Sequence, residues 1–176
     1  FSSDHVFSGA AHRDRPFLED DRTQPINSYA RSKLEGEKEV LGCSRDNMVV
    51  RTSWLWNHHS GLIPFLWNSL QVTGSVRAVS DQIASAAYAP DVVEAVLKIA
   101  DRGGSGIFHV VNRGEFSPAG IAGMICSKTF GEVIPVSWQQ LELDAPRPQY
   151  SALGSARGVE LPELLDAIDR WRRTVE

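Results

Sequence analysis

Tyr29 and Lys33 stand four residues apart in the run Tyr29-Ala30-Arg31-Ser32-Lys33. That spacing is about one helical turn, so a phenol and an ammonium share one helix face. An ammonium that close stabilises a phenolate. The phenol needs this help to act as an acid near neutral pH, because an isolated tyrosine keeps its proton up to about pH 10. Ser3, in the opening run Ser2-Ser3-Asp4-His5-Val6-Phe7, adds a hydroxyl. Hydroxyl, phenol and ammonium together suit carbonyl reduction. Negative charge builds on the carbonyl oxygen as hydride adds, and hydrogen-bond donors aimed at that oxygen lower the barrier.

The elements that must position these groups follow from hydrophobic periodicity and turn residues. Residues 1–7 read as a strand, 8–25 as a polar loop, and 28–41 as a helix with Leu34 and Val40 turned inward. Strands are expected at 48–52, 76–79, 107–111 and 133–136, with 54–61 as a loop. Helices are expected at 62–72, closed by Thr73-Gly74, at 91–101 behind Pro90, from Ser117-Pro118 to Phe130, and at 162–172. Pro146-Arg147-Pro148 reads as an extended loop. Strands alternating with helices predict an α/β fold, part of a doubly wound parallel sheet. Strands 1–7, 48–52 and 107–111 are assigned to a dinucleotide-type sheet, and the remainder to a smaller α/β lobe. The expected division is 1–75 and 76–176, with one strand and helix of the second part returning to the sheet.

Composition narrows the partners. The 176 residues are 42% hydrophobic with a formal net charge of -4, and Lys and Arg are scattered without a basic stripe. This argues against nucleic acid and for a small molecule. No apolar run approaches the ~20 residues of a membrane span. Cys43 and Cys126 lie far apart, without a Cys-x-x-Cys pair, and read as free cytosolic thiols. His5, His12, His58, His59 and His109 show no metal-ligand spacing, so no metal is expected. Glu19-Asp20-Asp21 reads as a solvated acidic turn. Gly103-Gly104-Ser105-Gly106 reads as a turn, and no Gly-x-Gly-x-x-Gly follows a strand anywhere. Phe1 is not an initiator methionine, and the chain is expected to begin inside a domain whose glycine-rich half lies upstream, leaving the piece inactive alone.

Six segments in order resemble the dTDP-4-dehydrorhamnose reductase family of the extended short-chain dehydrogenase/reductase superfamily. Ser3-Asp4-His5-Val6-Phe7 resembles the family's Ser/Thr-Asp-Tyr-Val-Phe strand end. The stretch from Glu19 to Asp21 and on through Pro25-Ile26-Asn27-Ser28-Tyr29 resembles its Glu-x-Asp and Pro-x-Asn-x-Tyr. Arg51-Thr52-Ser53-Trp54, Asp81-Gln82-Ile83-Ala84-Ser85, Tyr88 with Asp91, and Arg147-Pro148 with Ser151 and Leu153 complete the series.

The resemblance implies a Rossmann-type fold, NADPH or NADH as cofactor, a dTDP-sugar substrate, a cytoplasmic setting and a homodimer. By position it implies that Ser3 hydrogen-bonds the sugar carbonyl, that Tyr29 protonates its oxygen, and that Lys33 supports Tyr29 while both hold the nicotinamide ribose. Asp4 and Trp54 are implied to contact the nucleotide-sugar. Gln82 and Arg147 join the candidate binding residues, Arg147 because a guanidinium matches phosphate geometry. From the residues alone, Asp4 reads equally as a turn cap, Gln82 as a loop support, Arg147 as half of a rim salt bridge, and Trp54 as core. Ala30, Trp56, Asn57, Ala84, Ala86 and Ala87 depart from the family's residues and are expected to line the sugar pocket, where shape decides which sugar is accepted. Two other readings compete: a nucleotide-sugar epimerase or dehydratase, and a non-catalytic nucleotide-binding subunit resembling methionine adenosyltransferase beta. His5 after Asp4, in place of a second acid, favours reduction over dehydration.

Overall fold

A computed structural model describes residues 1–7, 9, 13–127, 131–142 and 145–175. Val49 and Val50 are β-branched and buried, and they form the middle of β2 (Met48–Thr52). This strand is the centre of a three-stranded sheet with β1 (Ser2–Ser3) on one side and β6 (Gly106–His109) on the other. Both pairings are parallel, with Ser3 opposite Thr52 and Arg51 opposite His109. Strands covered on both faces read as continuous apolar runs, which is why β2 was legible.

The opening strand is much shorter than the predicted 1–7. The Ser3 Oγ accepts a hydrogen bond from the His5 backbone N–H at 3.2 Å and starts a single 3₁₀ turn, Asp4–Val6. A side chain that bonds its own backbone competes with the sheet ladder. Val6 and Phe7 are still fully buried, so the apolar pattern reported burial and not strand.

Helix α1 (Ser28–Cys43) begins at Asn27, whose Oδ1 accepts from the Ala30 N–H at 2.8 Å. Such a cap stabilises a helix by about 1 kcal/mol. The face turned to the sheet carries Ala30, Leu34 and Glu37. Val40 lies beside that stripe and is 42% exposed, contrary to the inward placement predicted for it.

The segment read as loop 54–61 contains β3 (Leu55–Trp56), paired in parallel with β5 (Ala87–Tyr88). Two-residue strands are too short to show a period. The second core lies among α2 (Leu62–Thr73), α4 (Pro118–Cys126), α5 (Leu164–Val175) and the parallel pair β4 (Ser75–Val79) and β7 (Glu132–Val136). Gly74 ends α2 in the left-handed conformation, its N–H bonded to the Leu70 carbonyl. Helix α5 starts two residues later than predicted and buries Leu164, Ala167, Ile168 and Trp171, one stripe at helical spacing. Trp171 meets Trp56 and Trp67 edge-on at 5.7 Å. Helix α3 (Ala89–Asp101) carries Pro90 in its first turn. The predicted continuation of α4 through 128–130 lies outside the described residues, as does His12. Among the described residues the strands pair in parallel, with an isolated antiparallel bridge between Ala84 and Phe116, and the α/β class holds.

Candidate active site

Parallel strands present their carboxyl ends on one side of a sheet, and ligands of open α/β sheets bind there. A cleft of about 870 Å³ opens at the carboxyl ends of β1 and β2. Its walls are the Ser3–His5 turn, the first turns of α1, the Thr52–Leu55 stretch and the 145–147 loop. Ser3, Asp4, Tyr29, Lys33, Trp54 and Arg147 all line it. Ser3 and Arg147 are 144 residues apart in sequence, and the fold brings them to one opening.

Tyr29 is 52% exposed, and the Lys33 Nζ lies 5.7 Å from its ring centroid. His5, not assigned a role from sequence, packs edge-on against the Tyr29 ring at 5.8 Å. The Ser3 Oγ donates to Asp4 Oδ1 at 3.0 Å, and Ser151 Oγ donates to Asp4 Oδ2 at 2.6 Å. Asp4 is 2% exposed with both oxygens engaged, so it lines the cleft as a held carboxylate. Trp54 follows β2 with φ of 31°, a left-handed conformation that is costly for a bulky residue. Strain of this kind concentrates at functional sites. Arg147 is exposed, with its guanidinium 4.9 Å from the Trp138 ring centroid.

Gln82 is not brought to the cleft. It is buried in a segment whose neighbour Ile83 pairs with the backbone of Gln149 and Ser151, while Asp81 accepts from the Trp138 N–H at 2.8 Å. Its neighbours Ile83 and Asp81 thus tie this segment to the 149–151 stretch and to Trp138. The departures expected in the sugar pocket also lie elsewhere. Ala30, Ala84, Ala86 and Ala87 are buried in the interior, and Trp56 stacks on Tyr88 at 4.3 Å in the core. Asn57 organises a turn by accepting from the Ser60 N–H. A family motif marks positions, and only packing tells which of them face the opening.

Thr52 and Ser53 were also missed as cleft residues, although the Arg-Thr-Ser-Trp run contains them. Thr52 Oγ1, Ser53 Oγ and His5 Nδ1 are buried and without a hydrogen-bond partner among the described residues, and all three residues line the cleft. Buried polar atoms are rarely left unpaired. Their presence around the cleft suits a polar ligand.

The whole chain, residues 1–176, matches the family described as RmlD substrate binding domain. The chain belongs to that family. It is 34% identical to a dTDP-4-dehydrorhamnose reductase of Mycolicibacterium smegmatis over 99% of this chain and 54% of that protein. It is 38% identical to one of Mycobacterium tuberculosis over 88% of this chain and 53% of that protein. The chain thus spans about half the length of these relatives. A dTDP-4-dehydrorhamnose reductase structure from Clostridium acetobutylicum superposes with a TM-score of 0.91 at 26% identity, covering 99% of this chain and 64% of that one. One from Bacillus anthracis in complex with NADP gives 0.89 at 29%, covering 98% and 64%. These are Rossmann-type α/β proteins.

In this RmlD-family chain a buried polar network fixes α1 over the sheet. Arg51 on β2 makes a two-pronged pair with Glu37 on α1, at 2.9 Å and 2.7 Å, and Ser2 on β1 donates to the same carboxylate. Tyr29, Lys33 and Glu37 follow one another at four-residue spacing. Holding Glu37 therefore orients the stripe that carries Tyr29 and Lys33. Arg51 also donates to the Glu19 carbonyl at 3.3 Å.

Glu19 is not the solvated acid that sequence predicts. It is 6% exposed and accepts from the Ala156 and His109 N–H groups and from Ser155 Oγ. Burial pushes its carboxyl up, and these hydrogen bonds more than offset that, holding it below its ordinary value of 4.5.

His109 is 1% exposed. Its Nδ1 faces the Gly154 and Phe17 carbonyls at 2.8 Å and 3.1 Å and so carries the proton, leaving Nε2 towards Arg51 at 3.4 Å. Burial, the largest effect, keeps the imidazole below its ordinary value of 6.5, against the opposing pull of Glu19. The unfolded chain then binds a proton below 6.5 that the folded chain refuses. Stability is complete above 6.5 and falls as pH drops from 6.5 towards the folded value, by at most about 1.4 kcal/mol per pH unit. Urea unfolding between about pH 7.5 and 5.5 should show that slope, and His109→Gln should flatten it. An unchanged slope in the variant would refute the assignment.

Proposed function

We propose that the protein reduces a dTDP-4-keto-6-deoxy sugar, dTDP-4-dehydrorhamnose to dTDP-rhamnose, with NADPH or NADH. The single observation that carries the reading is the convergence of Ser3, Tyr29 and Lys33 on one cleft at the carboxyl ends of parallel strands. The nicotinamide cofactor, when bound, supplies the hydride. Tyr29 and Lys33 hold its ribose, and the unpaired polar atoms of the Thr52–Ser53 wall suit the polar groups of a cofactor or nucleotide-sugar.

The chain's own residues handle the oxygen. As carbon C4 gains hydride, the carbonyl π pair moves onto oxygen. Tyr29 gives that oxygen its phenolic proton, turning C=O into CH–OH. The phenolate left behind is stabilised by the Lys33 ammonium. Ser3 hydrogen-bonds the same oxygen while charge accumulates. Trp54 packs on the sugar, and Arg147 meets the diphosphate with its planar fork. Residues 1–75 carry the acid-base groups, and 76–176 mainly form the sugar lobe, with β6 returning to the sheet. The reaction takes place in the cytoplasm, consistent with the free thiols of Cys43 and Cys126.

Protein expressed from its complete reading frame should oxidise NADPH only when dTDP-4-dehydrorhamnose is present, and the sugar product should gain two hydrogens by mass. A product of unchanged mass and altered stereochemistry would mean epimerisation instead. No consumption of either nicotinamide would leave the reductase reading without support.

A further inference from the structure

We propose that Ser151 and Asp4 are positioning residues for Ser3, controlling where its hydroxyl proton points. The inference rests on the reductase reading, because Ser3 acts on a carbonyl only there. Asp4 is buried, and a carboxylate only accepts hydrogen bonds, so the Ser3 proton lies towards Asp4 Oδ1 at 3.0 Å. The His5 N–H meanwhile holds the Ser3 oxygen in place at 3.2 Å.

To donate to a carbonyl oxygen, Ser3 has only to rotate its proton from Asp4 into the cleft, with the oxygen unmoved. That rotation strips one donor from a buried carboxylate. Ser151, donating to Oδ2 at 2.6 Å, is the donor that remains. It keeps Asp4 satisfied in the transition state, when the Ser3 proton is elsewhere.

The stretch that supplies Ser151 is tied down on both sides. The Asn27 side-chain amide donates to the Pro146 carbonyl at 2.9 Å, two residues ahead of Tyr29. The Ser151 N–H donates to the Ile83 carbonyl at 2.8 Å, and the Ile83 N–H donates to the Gln149 carbonyl at 2.7 Å. Arg147 sits between these anchors, so the loop that would meet the ligand's anionic end also carries the group that frees Ser3.

The test is kinetic, in protein from the complete reading frame with dTDP-4-dehydrorhamnose and NADPH. Ser151→Ala is expected to lower kcat about tenfold and leave KM within about twofold, the pattern of an interaction made only in the transition state. Ser151→Thr, which keeps the hydroxyl, should return kcat to within about threefold of the parent. If Ser151→Ala fails to fold, Ser151→Cys, with its weak donor, reads the same bond. In a Ser3→Ala background the Ser151 change should cost less than about twofold, since residues acting through one another are not additive.

A second loss of about tenfold in that background, while the parent turns over, overturns this proposal alone. A fall in affinity with kcat unchanged does the same. Absence of turnover in the parent overturns the reductase reading and this inference with it.

Discussion

Tyr29→Phe is expected to lower kcat by about 10²–10⁴-fold, the range that a positioned general acid contributes. The substitution removes only the phenolic oxygen. The edge-on contact with His5 and the ammonium of Lys33 over the ring both involve the ring itself, which phenylalanine retains. Tyr29 is 52% exposed in the first turns of α1, so the change should leave the melting temperature nearly unmoved. Loss of rate without loss of fold separates chemistry from packing. Lys33→Met should follow in the same direction, because a neutral side chain cannot stabilise the phenolate left by proton transfer. Steady-state rates with the keto-sugar provide the measurement, and a fall of less than about tenfold in Tyr29→Phe would exclude the phenol as proton donor.

Glu37→Ala is expected to destabilise the fold by about 3–5 kcal/mol, because it leaves the guanidinium of Arg51 buried without its counter-charge. Glu37 and Arg51 are 4% and 2% exposed, and two hydrogen bonds join them. The loss is a large part of a typical stability of ~5–15 kcal/mol. It corresponds to a drop in melting temperature of roughly 10 °C for a chain of this size. The effect should exceed that of removing Ser2's hydroxyl, which leaves the ion pair in place. Replacing both partners with apolar residues, Glu37→Leu with Arg51→Met, should recover much of the loss, since a buried pair is worth little more than well-packed apolar groups. If Glu37→Ala melts within ~2 °C of the parent, the pair does not hold α1 to the sheet as described.

The contrast between these residues shows what was legible. Tyr29 and Lys33 could be paired from spacing because both lie on one helix, where residues four apart are neighbours whatever the rest of the chain does. Asn27 was visible within the Pro-x-Asn-x-Tyr resemblance, and its cap is equally local. The buried apolar runs of β2, α2 and β4 were legible for the same reason: period and turn residues are properties of short stretches. Two-residue strands such as β3 and β5 have no period, and Leu55–Trp56 therefore passed for loop. Ser3 looked like the middle of a strand because Val6 and Phe7 are apolar, yet its hydroxyl bonds the backbone and turns the chain.

The acidic residues mark the boundary most clearly. Glu19 and Glu37 look alike in sequence to any solvated glutamate, and both are buried. Their partners, His109, Ser155 and Arg51, lie 90, 136 and 14 residues away. A charge is carried into the interior only when paired there, and no local pattern announces a partner so distant.

By itself the sequence determined the α/β class, the family and the phenol–ammonium pair, because each depends on residues close together in the chain or on a series of such runs. Tertiary structure alone decided that Gln82 stays out of the cleft and that Ala84, Ala86 and Ala87 belong to the core. It also decided that His5, Thr52 and Ser53 join the wall, and that Asp4 is held between Ser3 and Ser151. The physical reason is the same in each case. Burial and hydrogen bonding are set by which elements pack together, and hydroxyl or carboxylate side chains acquire their roles only when that packing chooses their partners.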